Sequence, residues 1–255
     1  MQVDPTLLPT FIIGGAPRSG TTFLCQALDR NPDVYFAKPY VPEPKVFVVP
    51  QDLSVCRDRY AAYFKDARHK PCRGEKTTLY FESATACARI RKHLPDVRIL
   101  FMLREPVARA YSNYLWSKKN GLETLPFEQA VELEGTRESP LPPEKFYARP
   151  HDYLLRGDYA TFARRYLDAF GPERVAFFLY EDIERNPERL FGDIQDFIGA
   201  RRLPFAELNV GIVNSAKDLG PELEPVIAER LKTRMRAQVD QFVSLTGMDV
   251  SAWKY

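Results

Sequence analysis

Residues 11–31 read FIIGGAPRSGTTFLCQALDRN, and the fold follows from how this stretch is punctuated. Phe11, Ile12 and Ile13 are a short apolar run of the kind that forms a buried strand. Gly14, Gly15 and Gly20 mark a tight loop. After Gly20 the period changes, and Leu24 and Leu28 fall on one face of a helix that Asn31-Pro32 ends. Strand, glycine loop and helix in succession make an anion site. The first helical turn presents N–H groups without internal partners and the positive end of the macrodipole. Glycine lets the backbone approach a phosphate without a Cβ in the way. Arg18 adds a full charge, and Thr21 and Thr22 add hydroxyls.

The nucleotide-triphosphate loop has the pattern G-x-x-x-x-G-K-[ST]. Gly15 to Thr22 read GAPRSGTT, so the glycine spacing is kept while Thr21 stands where that loop has its lysine. The basic group lies three residues upstream, at Arg18. Such a loop lacks the usual grip on β- and γ-phosphates and their metal.

Three later stretches carry chemistry. KPYVPEPKVFVVP, residues 38–50, is too rich in proline for a helix and holds Glu43. A carboxylate in a stiff loop suits a general base, but the residues alone fit a solvated loop charge equally well. Residues 73–81, RGEKTTLYF, hold Glu75 and Lys76. Residues 98–104, RILFMLR, form a near-continuous apolar run, a buried parallel strand with Arg104 at its carboxyl end. Glu105-Pro106 then opens a helix that carries Ser112.

PRSGTT resembles the 5′-phosphosulfate loop of sulfotransferases, and LREPVARAYSNY resembles their 3′-phosphate motif. The resemblance runs over about residues 11–253 and is weakest at 124–150. It implies a P-loop-like, sulfotransferase-type three-layer α/β fold, with a mainly parallel central sheet between helices. It implies 3′-phosphoadenosine 5′-phosphosulfate (PAPS) as donor and adenosine 3′,5′-bisphosphate as product. Cofactor contacts are then Arg18, Ser19, Gly20, Thr21 and Thr22 in the loop, Arg104 and Ser112 in the second motif, and Ser215 and Lys217 in the polar stretch at 209–220. EPKVF resembles the family's glutamate motif and makes Glu43 the base, with Val46 where an aromatic is common. GEKT resembles its E-K-[ST] segment and places Lys76 at the sulfuryl group, with Glu75 in a supporting role. His151 is the runner-up base, since some cytosolic members use histidine. The rival readings are an ATP-dependent P-loop kinase and an inactive nucleotide-binding protein.

The totals agree with a soluble enzyme. The 255 residues suffice for a single domain, with 117–150 as an acceptor-side insert or lid. A net charge of +2 argues against a general nucleic-acid binder. No stretch reaches the ~20 apolar residues of a membrane span, and the first residues lack a signal peptide's basic region. A cytoplasmic protein is the expectation. The four cysteines have no C-x-x-C spacing, and no metal site is expected. Tyr111, Tyr114 and Trp116 read as core, and the last helix, 222–245, is expected to bury Val226, Leu231, Met235, Val239 and Phe242. The acceptor, whether carbohydrate, lipid or other small molecule, and the oligomeric state are not legible.

Overall fold

The computed structural model describes residues 4–48, 52–208, 211 and 220–255. Strands β1 (Phe11–Gly15), β2 (Val34–Phe36), β3 (Cys72–Lys76), β4 (Arg98–Leu103) and β5 (Val175–Leu179) form one sheet in the order β2-β3-β1-β4-β5. Every pairing is parallel. The helices are α1 (Thr21–Leu28), α2 (Leu53–Phe64), α3 (Ala84–His93), α4 (Pro106–Lys119), α5 (Phe127–Glu132), α6 (Tyr159–Phe170), α7 (Asp182–Arg185), α8 (Pro187–Ile198), α9 (Phe205–Leu208) and α10 (Pro225–Thr246). The chain packs as two compact units, Met1–Leu103 with Arg165–Val213, and Arg104–Arg164 with Asn214–Tyr255.

The first unit holds the sheet. Strand side chains alternate between faces, and both faces are covered. Phe11, Ile13, Leu100 and Met102 pack with Leu24 and Leu28 of α1 and with Leu190, Phe191 and Ile194 of α8. On the other face Phe101 meets Phe81, Tyr166 and Phe177 at centroid distances of 4.3, 4.8 and 5.6 Å. A sheet clad on both sides explains why β1 and β4 read as unbroken apolar runs. β1 is the middle strand, so the glycine loop leaves from the centre of the sheet.

Local chemistry sets the helix ends. Pro106 opens α4, and Glu105 caps it by accepting from the Val107 and Ala108 N–H groups at 2.8 and 2.6 Å. Asn186 caps α8, and Gly199 closes it in the left-handed region.

In the second unit Val107, Ala110 and Tyr114 of α4 pack with Phe127 of α5, Tyr153, and Leu231 and Met235 of α10. Glu123 is buried there between Arg137 and Tyr153. Two core expectations fail. Val226 is 81% exposed, because it lies five residues before Leu231, about 140° around the helix from the buried stripe of Leu231, Met235, Val239 and Phe242. Trp116 is likewise on the exposed side of α4, two residues past buried Tyr114.

Candidate active site

The loop after β1 is fixed from both sides. Strand β1 pairs with β3 and β4, and the Ala16 N–H donates to the Met102 carbonyl at 2.8 Å. Arg18 has φ +68°, which few non-glycine residues adopt. Gly20 has φ +72° and is the N-cap of α1. A Cβ on it would stand 2.7 Å from Tyr180 Cδ2, so glycine is needed for room as well as for conformation. Ser19 is fully buried, and its hydroxyl has no hydrogen-bond partner among the described residues. A buried hydroxyl without a partner beside a helix N-terminus is a donor available to an anion.

Lys76 ends β3, beside Ile13 of β1, and its side chain is 4% exposed. Its ammonium lies 3.1 Å from Glu43 Oε1 and donates to Thr22 Oγ1 at 3.3 Å. Glu43 also accepts from the Thr78 N–H at 3.0 Å and from the Thr78 hydroxyl, 3.0 and 3.1 Å from its two oxygens. The three residues singled out from separate stretches, Glu43, Lys76 and Thr22, therefore meet. Three donors face Glu43, whereas a carboxylate offers about four lone-pair sites. Among the described residues, one of those sites is left without a donor. Thr78 was missed in the sequence; its only signal was the threonine doublet after Lys76.

In the second unit Arg104 immediately follows β4, and its carbonyl accepts from the Tyr159 hydroxyl at 2.9 Å. Ser112 is buried on α4. The neighbouring Glu105 accepts from the Tyr255 hydroxyl at 2.8 Å, and burial, then this carboxylate, push that phenol's pKa far up. His151 lies in the same unit. Its Nε2 meets the Leu122 carbonyl at 2.9 Å, which makes it a donor, and its Nδ1 is buried without a partner among the described residues. Ser215 and Lys217 lie outside the described residues. All four cysteines are buried and unpaired, and burial raises their thiol pKa values, most of all for Cys25. Among the described residues no group of His, Cys, Asp or Glu could hold a metal, and no helix is long and apolar enough to cross a membrane.

Residues 8–204 match the family model of the sulfotransferase domain. The chain belongs to the sulfotransferase family. Human heparan sulfate glucosamine 3-O-sulfotransferase 3B1 is 28% identical over 200 residues, covering 77% of this chain and 47% of that protein. The human 3A1 enzyme matches equally, at 28% over 200 residues and 45% of its length. The chain thus spans about half the length of these relatives. The sulfotransferase from Alicyclobacillus acidocaldarius has the same fold with a TM-score of 0.77 and 28% identity, over 97% of this chain and 99% of that one. Mouse sulfotransferase SULT7A1, solved complexed with PAP, shares the fold alone, with a TM-score of 0.54 and 15% identity. The P-loop-like three-layer architecture is the one expected from residues 11–31 and 98–112.

Proposed function

We propose that this sulfotransferase moves a sulfuryl group from PAPS to a hydroxyl of a carbohydrate, with Glu43 as general base. The observation that carries this reading is the meeting of Glu43, Lys76 and Thr22 beside the glycine loop. The residues present fit the donor. The Ser19 hydroxyl has no partner among the described residues, Gly20 opens the N-terminus of α1, and Arg18 adds a cation to the loop. Arg104 and Ser112 are assigned to the 3′-phosphate, for which a guanidinium offers paired, charge-assisted hydrogen bonds. Ser215 and Lys217 remain assigned to the same phosphate from the resemblance alone.

When bound, PAPS supplies the sulfuryl group, activated by its phosphate link. Glu43 accepts the proton of the attacking hydroxyl, which such a base requires within hydrogen-bond reach. Lys76 holds Glu43 in place and offers its remaining N–H donor to the sulfuryl oxygens. Arg18 and the amides of Gly20, Thr21 and Thr22 stabilise charge that develops on the 5′-phosphate. The carbohydrate acceptor is supported by the heparan sulfate relatives. Radiolabelled PAPS incubated with the chain and heparan sulfate tests it. Label in the polysaccharide, lost with Glu43→Gln, is the expected result. Transfer from radiolabelled ATP instead would replace this reading by a kinase.

A further inference from the structure

Glu75 precedes Lys76 on β3, and its side chain points away from the Glu43–Lys76 pair into the protein. It is fully buried, and three hydroxyls converge on its carboxyl group. Thr77 Oγ1 donates to Oε1 at 2.8 Å, the Tyr80 hydroxyl donates to the same oxygen at 2.5 Å, and the Tyr60 hydroxyl of α2 donates to Oε2. Burial raises the pKa of Glu75, and it raises those of both phenols. A polar cluster this deep is costly unless it fixes something.

What it fixes is the segment that carries Glu43. Thr77 Oγ1, while donating to Glu75, accepts from the Lys45 N–H at 3.0 Å. The Tyr80 hydroxyl likewise accepts from the Phe47 N–H at 3.2 Å. Helix α2, which supplies Tyr60, also supplies Arg59, whose guanidinium donates to the Pro44 carbonyl. Lys45 itself has φ +52°, a conformation a lysine keeps only when its surroundings hold it there. Every backbone tie here lies within four residues of Glu43.

We infer that Glu75 is a positioning residue for Glu43: through Thr77 and Tyr80 it orders the hydroxyls that clamp the Lys45 and Phe47 amides, and so aims Glu43 at Lys76. Each hydroxyl has one proton. Glu75 takes both, which leaves the oxygen lone pairs of Thr77 and Tyr80 turned to the two amides. The inference rests on the proposed role of Glu43 for its effect on turnover, but not for its effect on the loop.

The test uses Glu75→Gln, Glu75→Leu, Thr77→Val, Thr77→Ser and Tyr80→Phe in the full chain. Amide hydrogen exchange at Lys45 should quicken by about tenfold or more in Thr77→Val, and at Phe47 in Tyr80→Phe. Thr77→Ser should restore the slow exchange at Lys45. Glu75→Gln keeps an acceptor oxygen for Thr77 and Tyr80 and should fall between wild type and Glu75→Leu. If Glu75→Leu does not fold, the Thr77 and Tyr80 variants still decide. With PAPS and heparan sulfate, kcat should fall about tenfold or more in Thr77→Val while KM for PAPS stays within about twofold. In a Glu43→Gln background the same substitution should cost less than about twofold. Unchanged exchange at both amides, or an equal loss of kcat in the Glu43→Gln background, overturns the inference. If the wild-type chain transfers nothing to heparan sulfate, the proposed acceptor fails, and exchange alone decides the role of Glu75.

Discussion

Lys76 Nζ stands 3.1 Å from Glu43 Oε1, although the two residues come from different parts of the chain, one at the end of β3 and the other in a proline-rich loop. Both side chains are largely buried, so this pair is screened little by solvent. The contact links the proposed base to the first turn of α1 through Thr22. It is the arrangement from which the catalytic reading follows.

Glu43→Gln keeps the shape of the side chain and removes its ability to take a proton. Loss of a general base costs about 10²–10⁴ in turnover. The expected outcome in steady-state kinetics is a fall in kcat of that size with KM for PAPS little changed. The melting temperature should stay near that of the wild type.

Lys76→Met leaves Glu43 without its cation. Because the two groups touch, their effects should not add. The double variant Glu43→Gln/Lys76→Met should lose much less activity than the product of the two single losses. A cycle of four kcat values checks it.

Gly20→Ala combines a left-handed backbone with a Cβ 2.7 Å from the Tyr180 ring. Backbone strain of this kind costs about 1–3 kcal/mol before any clash is counted. The urea midpoint should fall accordingly, and affinity for adenosine 3′,5′-bisphosphate should fall with it, since the loop must shift.

The second unit has an acid-sensitive anchor in Glu123. Burial alone would raise its pKa, but hydrogen bonds from Arg137, Tyr153 and the Leu125 N–H overcome that and hold it at about 2. This lies below the ordinary glutamate value of 4.5, so the stabilisation is present above about pH 4.5 and is lost as pH falls from there towards about 2. Glu123→Gln should be less stable than wild type at neutral pH, and the difference should shrink across that acid window in urea titrations.

How much of this was legible depended on the range of the interactions. Residues 11–31 and 98–112 carry local signals, namely apolar runs, glycines and an Asn-Pro stop in the first and Glu-Pro in the second, and their strands and helices form where those signals place them. The roles of Glu43 and Lys76 came from motif resemblance, and their contact is tertiary. The cluster of Glu75, Tyr60, Tyr80 and Thr77 was invisible, because nothing local says that a tyrosine on α2 reaches a carboxyl on β3. Val226 went wrong through an angle, since an apolar residue near a periodic stripe was counted as part of it although its position lies off that face.

The most direct test of the central claim is calorimetric titration with adenosine 3′,5′-bisphosphate, set against ATP with Mg²⁺. The account predicts tight binding of the bisphosphate, weaker binding of ATP, and a loss of bisphosphate affinity of about tenfold or more in Arg104→Ala, from the charge-assisted hydrogen bonds removed. Preference for ATP with Mg²⁺, or equal affinity for a nucleotide without the 3′-phosphate, would contradict it.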